Sequence, residues 1–255
     1  MKKSNFKVTI LFALMVVIVA LQLLTLKLIG KPFNNIAFIV DIAYFFCSLL
    51  IFRTFDYSLP SFKNVKFKGI LLITLTTILI VQADPILNIL KLYQSLSSGT
   101  IGVVFFQNEF YSNFNQNPNE NSYLLFRAVI LVPFFEEIIF RYFVISELMK
   151  RHNSIVAVIM SSILFSLIHM DLEQSLYAFV IGIFFGYLFV KKMNIWLIIF
   201  LHSALNIAFS FFTVEQVNFT ASNIGIFSIS FLSFLTIILI FRNKYAKLIA
   251  FHNKD

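Results

Sequence analysis

The chain has one cysteine, Cys47, among its 255 residues. A lone thiol excludes an intrachain disulfide and any thiolate-held zinc cluster. Charge is scarce as well. Charged residues make up 13% of the sequence, against about 25% in ordinary globular chains. That shortage excludes a soluble domain. No H-E-x-x-H occurs, so the helical zincin signature is absent. There is no Ser-His-Asp order and no C-x-x-x-H pair, which argues against an acyl-enzyme. No internal repeat is visible, and no inverted halves of the kind that mark a transporter.

What fills the chain is apolar. Hydrophobic residues reach 59% and the mean hydropathy is +0.88. Apolar runs of about 20 residues read as membrane-spanning helices. Eight such runs occur: Thr9–Leu28, Ile36–Phe52, Gly69–Ile89, Tyr123–Met149, Ile155–Met170, Leu176–Val190, Ile195–Phe212 and Ile224–Phe241. The fold class expected is an all-α membrane protein, about eight transmembrane helices in one bundle. Residues 1–255 then form a single polytopic domain. The first run is too long for a signal-peptide core and lacks a small-x-small cleavage site, so it is expected to be retained. Asn153-Ser154 and Asn194 suit N-caps of the fifth and seventh helices. Gly182 and Gly186 allow the sixth helix to approach a neighbour closely. Asp84-Pro85 marks a break or kink. The one long polar connection, Lys91–Ser122, holds Val103-Val104-Phe105-Phe106, which is expected to be a short interfacial helix.

The basic residues test this topology. With eight spans, fifteen of the twenty lysines and arginines fall on the side of the two termini. The chain is therefore expected at the cell membrane, multi-pass, with both termini cytoplasmic. Its net charge of +8 reads as charge facing the lipid bilayer surface, with no nucleic acid as partner.

Three polar patches interrupt the apolar runs. Glu136-Glu137 with Arg141 lies in the fourth run, His169 in the fifth, His202 with Asn206 in the seventh. A charge at the bilayer centre costs at least ~2.5 to 3.5 kcal/mol, so such residues carry a functional hypothesis by default. Glu137 and Arg141, at i and i+4, can pair on one helix face. Glu136 is turned about 100° from Glu137, free to face a cavity. The same spacing puts the Phe165 ring under the His169 imidazole. It also puts His202 and Asn206 on one face, where both can donate toward a common point, as an oxyanion hole requires. The plainer readings are an ion-pair lock and interhelical polar contacts.

In this order the patches read E-E-x-x-x-R, F-x-x-x-H and H-x-x-x-N. The chain thereby resembles the CPBP family, the CAAX-processing proteases and bacteriocin-processing or bacteriocin-immunity proteins also called Abi. The resemblance covers about residues 123–212 and leaves the first three helices aside. It implies an intramembrane endopeptidase acting on a membrane-associated peptide or protein. Some relatives of this kind are immunity proteins or membrane partners without proteolysis, which regulate a sensor or receptor, and that is the competing class.

Activated water is the default nucleophile for such a site. Glu136 is assigned as general base, with His169 helping to orient or deprotonate the water. His202 and Asn206 are assigned to the oxyanion, and Glu137 with Arg141 to holding the geometry. A metal version uses Glu136, His169 and His202 as ligands to a divalent ion such as zinc, with one position open. The sequence leaves both versions standing. Straight helices leave one difficulty. They put Glu136 and His202 at mid-depth, and His169 near the end of its own short helix.

Overall fold

The computed structural model describes residues 67–87, 100–106, 125–169 and 172–218, with scattered single positions and short stretches between 42 and 62, at 93 and 97, and between 228 and 237. The expected runs Thr9–Leu28, Ile36–Phe52 and Ile224–Phe241 lie almost wholly outside these residues, as does most of the loop Lys91–Ser122. Five helical units remain among the described residues: α1 (Phe67–Leu87), the long α2 (Arg127–Leu148), α3 (Ser154–Leu167), α4 (Leu172–Val190) and α5 (Ile195–Phe211). Among the described residues, no helix is long and apolar enough to cross a membrane. The expected count of eight spanning helices is therefore not carried by the described helices.

Helix α2 is continuous but not uniform. It opens with a π-helical stretch, Arg127–Leu131, passes through an α turn, Val132–Glu136, and widens again into a nine-residue π stretch, Glu137–Ile145. Ser146–Leu148 closes it. The first widening adjoins Pro133, which has no N–H to give to the preceding turn. Wide turns of this kind are rare and concentrate at functional sites.

The remaining ends follow local chemistry. Asn153 caps α3, its side-chain oxygen accepting from the Val156 N–H at 2.9 Å. Asn194 likewise accepts from the Trp196 N–H at 2.9 Å. Between α4 and α5, Lys192 takes a left-handed φ of 63°. Its N–H bonds the Phe189 carbonyl and the Met193 N–H bonds that of Leu188, the pattern that closes a helix C-terminus. Helix α1 runs through Asp84-Pro85 to Leu87, where a break or kink was expected; the helix is not broken there.

One correction concerns Val103–Phe106. These residues form part of a strand, β1 (Thr100–Phe106), not a helix. It pairs antiparallel with β2 (Phe212–Asn218), Phe106 opposite Phe212 and Thr100 opposite Asn218. Val103-Val104-Phe105-Phe106 is β-branched and aromatic, and such residues pack well on a pleated surface. The strand β2 follows α5 without a connecting loop, so the sheet is attached to the helix that carries His202 and Asn206.

Two larger apolar clusters hold the helices, beside a small one of Ile145, Ala157 and Val158. Ile73, Ile80 and Val81 of α1 pack with Leu197, Leu201 and Leu205 of α5 and with Phe185 and Leu188 of α4. Phe135, Ile139, Phe140 and Phe143 of α2 pack with Phe165 and Ile168 at the end of α3. The depth difficulty disappears here. Helix α3 runs back along α2 from the turn at 149–153, with the Ser161 hydroxyl donating to the Phe140 carbonyl at 2.8 Å. Glu136 lies about 20 Å and His169 about 24 Å of helical rise from that turn, within one helical turn of each other. The end of the short helix therefore stands level with the middle of the long one.

Helix α4 reaches α3 through two glycines. A Cβ on Gly182 would lie 3.1 Å from the Ser162 Cβ and 3.3 Å from the Phe165 ring, and one on Gly186 would lie 2.9 Å from a Val158 methyl. Gly186→Val should therefore force α3 and α4 apart. Overpacking of this kind costs ~1 to 3 kcal/mol, more than the gain in helix propensity. A lowered thermal unfolding midpoint of the purified protein is expected. An unchanged midpoint would show that the helices separate without cost.

Candidate active site

The two acids of α2 are buried, Glu136 at 6% exposure and Glu137 at 0%. Both face one imidazole. His202 Nδ1 lies 2.9 Å from Glu137 Oε1, and its Nε2 lies 3.7 Å from Glu136 Oε2. The π turn beginning at Glu137 explains how one ring meets two neighbouring residues. A wider turn rotates successive side chains by less than the 100° of an α turn, so the two carboxylates splay less. Glu136 does not point away from its neighbour as expected. It shares His202 with Glu137.

A carboxylate only accepts hydrogen bonds. The Nδ1–H of His202 therefore donates to Glu137, which leaves Nε2 as the ring atom directed at Glu136. His169 is oriented in a similar way. Its Nδ1 lies 2.9 Å from the Phe165 carbonyl oxygen, again an acceptor, so its Nε2 is the nitrogen left for chemistry. The expected stacking is present: the Phe165 and His169 rings stand edge to face at 5.0 Å. The same Phe165 ring also meets His202, at 6.3 Å and 85°. One phenyl ring thus lies against both imidazoles.

Arg141 reaches Glu137 with its Nε, 3.1 Å from Oε2. In a π stretch the i+4 residue is not directly above residue i, and the fork geometry of a bidentate pair is lost. Glu137 Oε2 and both terminal nitrogens of Arg141 have no hydrogen-bond partner among the described residues. The guanidinium carbon instead lies over two phenyl rings, 4.1 Å from the centre of Phe165 and 5.4 Å from that of Phe185. Phe185 was not singled out in the sequence. Its only signal there was its place between the two close-packing glycines.

Asn206 does not share a target with His202. Its side-chain N–H donates to the Ala128 carbonyl at 2.7 Å. The reason lies in α2. The Val132 N–H reaches back five residues to Arg127. The next N–H in that pattern would come from residue 133 to Ala128, but residue 133 is proline. The Asn206 carboxamide takes the place of the missing donor. Side chains of neighbouring helices commonly satisfy a carbonyl freed by proline in this way.

The candidate metal set was Glu136, His169 and His202. Among the described residues, no three His, Cys, Asp or Glu side chains form a group that could hold a metal ion. Glu136 and His202 are together, and His169 does not complete a group of three with them. The geometry thus does not fit a three-ligand centre, and no step is assigned to a metal.

The segment that carries these residues is similar to known proteins. Residues 118–208 match the family described as Type II CAAX prenyl endopeptidase Rce1-like. The matched segment is similar to this family over about a third of the chain, consistent with the CPBP resemblance. A 77-residue stretch is 35% identical to the "Putative membrane peptidase YdiL" of Bacillus subtilis (strain 168), covering 30% of this chain and 32% of that protein. The match thus spans about a third of the relative's length. No solved structure matches the chain. All six polar residues of the CPBP pattern, with Phe165, fall inside the matched segment.

The Asn206 arrangement yields a test. Asn206→Leu should strand the Ala128 carbonyl and cost ~1 to 3 kcal/mol. Pro133→Ala returns an N–H to α2 and should recover part of that loss when the two changes are combined. Unfolding midpoints of the two single variants and the double variant measure the coupling. Additive effects would contradict the replacement of the Pro133 donor by Asn206.

Proposed function

We propose that this chain is an intramembrane endopeptidase that hydrolyses a peptide bond of a membrane-associated peptide or protein. The observation that carries this reading is the shared imidazole: two buried carboxylates on adjacent residues flank His202, one on each ring nitrogen. Membrane residence is part of the proposal. It is supported by the family resemblance and by the outer face of α3, where Ile155, Ile159, Ile163 and Leu167 recur every fourth residue and are all exposed. A contiguous apolar stripe of this kind needs lipid or a partner to cover it. Multi-pass topology with cytoplasmic termini follows from the charge distribution.

The chemistry is divided as follows. Water held beside Glu136 Oε2 and His202 Nε2, atoms that are themselves 3.7 Å apart, gives up a proton to Glu136 while its oxygen attacks the scissile carbonyl carbon. Glu137 fixes the His202 tautomer, and Arg141 offsets the Glu137 charge. His169 Nε2 orients the water or the substrate. Attack leaves a tetrahedral oxyanion at the former carbonyl. Collapse breaks the C–N bond, and the proton held by Glu136 passes to the leaving amine. A carboxyl and an amine result, with one water consumed.

Removal of a general acid–base group typically costs about 10² to 10⁴ in rate. Glu136→Ala and His169→Ala should each lose cleavage of a membrane-inserted test peptide by at least about 10²-fold, with protein yield close to wild type. Purified protein in liposomes, offered prenylated and unprenylated peptides, measures this. Cleavage at wild-type rate in both variants would refute the assignment. No cleavage by the wild-type chain on either peptide class would favour the non-proteolytic reading.

A further inference from the structure

The weakest point of the site by ordinary accounting is Arg141. Its side chain is 1% exposed, and its one polar contact among the described residues is the unaligned approach of Nε to Glu137. Both terminal nitrogens are without hydrogen-bond partners among the described residues. A guanidinium so desolvated is costly. What surrounds it is aromatic. The Phe165 face lies 4.1 Å from the guanidinium carbon and the Phe185 face 5.4 Å. Both rings are themselves buried, at 2% and 0% exposure. The two rings come from different helices, α3 and α4, and both also touch His202, at 6.3 Å and 5.5 Å between ring centres.

We propose that Phe165 and Phe185 are positioning residues: their faces form an aromatic clamp that holds the Arg141 guanidinium and, through it and by direct contact, fixes Glu137 and His202. A phenyl face carries negative quadrupole density that attracts a cation, the more strongly when water is excluded. The clamp substitutes for the hydrogen bonds that the π geometry of α2 denies to Arg141. It also explains the glycine at 182, where any Cβ would press on the Phe165 ring at 3.3 Å. Phe185 lies outside the three polar motifs, so this role is not contained in them. The rate arm of the test rests on the proposed hydrolysis. The spectroscopic arm does not.

The test keeps ring shape and removes ring charge. Phe185, and separately Phe165, is replaced in the full-length chain by mono-, di- and trifluorophenylalanine, which progressively weaken the quadrupole. Phe184, beside Phe185 but not over Arg141, serves as control. The first readout is kcat against KM for peptide cleavage. A stepwise fall in kcat to about a tenth at the trifluoro stage, with KM unchanged, is expected at 165 and 185 and not at 184. The second readout is the ¹⁵N pattern of the His202 imidazole, resolvable because the chain has four histidines. The Nδ1–H tautomer should dominate in wild type and give way to a mixture along the series. A flat His202 pattern at both positions overturns the clamp, as does a fall matched by the Phe184 control. If the wild-type chain cleaves nothing, the hydrolase reading fails alone, and the His202 pattern still decides the clamp.

Discussion

Everything in this site depends on burying two carboxylates with a single guanidinium. Arg141 offsets one negative charge, and its approach to Glu137 is a contact through Nε alone. The second carboxylate is left to His202, which stands between Glu136 and Glu137. Removing Arg141 from such a buried group leaves an uncompensated charge, worth about 3 to 5 kcal/mol. An arrangement that needs every member in place is poorly suited to mere helix packing, where apolar residues of similar volume do as well or better. Its presence is more readily understood as chemistry held in reserve.

The backbone of α2 is the second determinant. Its π stretches bring adjacent glutamates onto one imidazole and displace Arg141 from ideal pairing. Pro133 sits between the two stretches and removes the donor that Ala128 would have had, and Asn206 of α5 supplies it. The same deviations that cost backbone hydrogen bonds therefore tie α2 to α5 at the level of the acids. The strand β2, following α5 directly, extends this tie to the two-stranded sheet.

Much of this was legible in the sequence, for a physical reason. Ionisable residues in apolar runs are so costly that their mere presence names the site. Glu136, Glu137, Arg141, His169, His202 and Asn206 stand out on that ground, and helical spacing alone places Phe165 against His169. The N-caps at Asn153 and Asn194 were equally local and equally visible. What was hidden depends on non-local or non-standard geometry. The 100° rotation of an α-helix separates Glu136 from Glu137, and their meeting at one imidazole depends on where α5 packs against α2. Pairing between Val103–Phe106 and residues over a hundred positions later cannot be read from a four-residue apolar run. Phe185 carries no polar signal, and its role emerges only when α3 and α4 bring two rings to one guanidinium. The Asn206 carboxamide was assigned by spacing to the same target as His202, but the demand for its N–H comes from a proline on another helix.

The central claim is that Glu136 and His202 act on the same water. The most direct measurement is a double-mutant cycle on kcat/KM with Glu136→Gln, His202→Gln and the double variant. Residues acting as a unit are strongly non-additive. The account predicts that the double variant is about as slow as the slower single variant. Losses that simply multiply would contradict it, because they would assign the two groups to independent tasks.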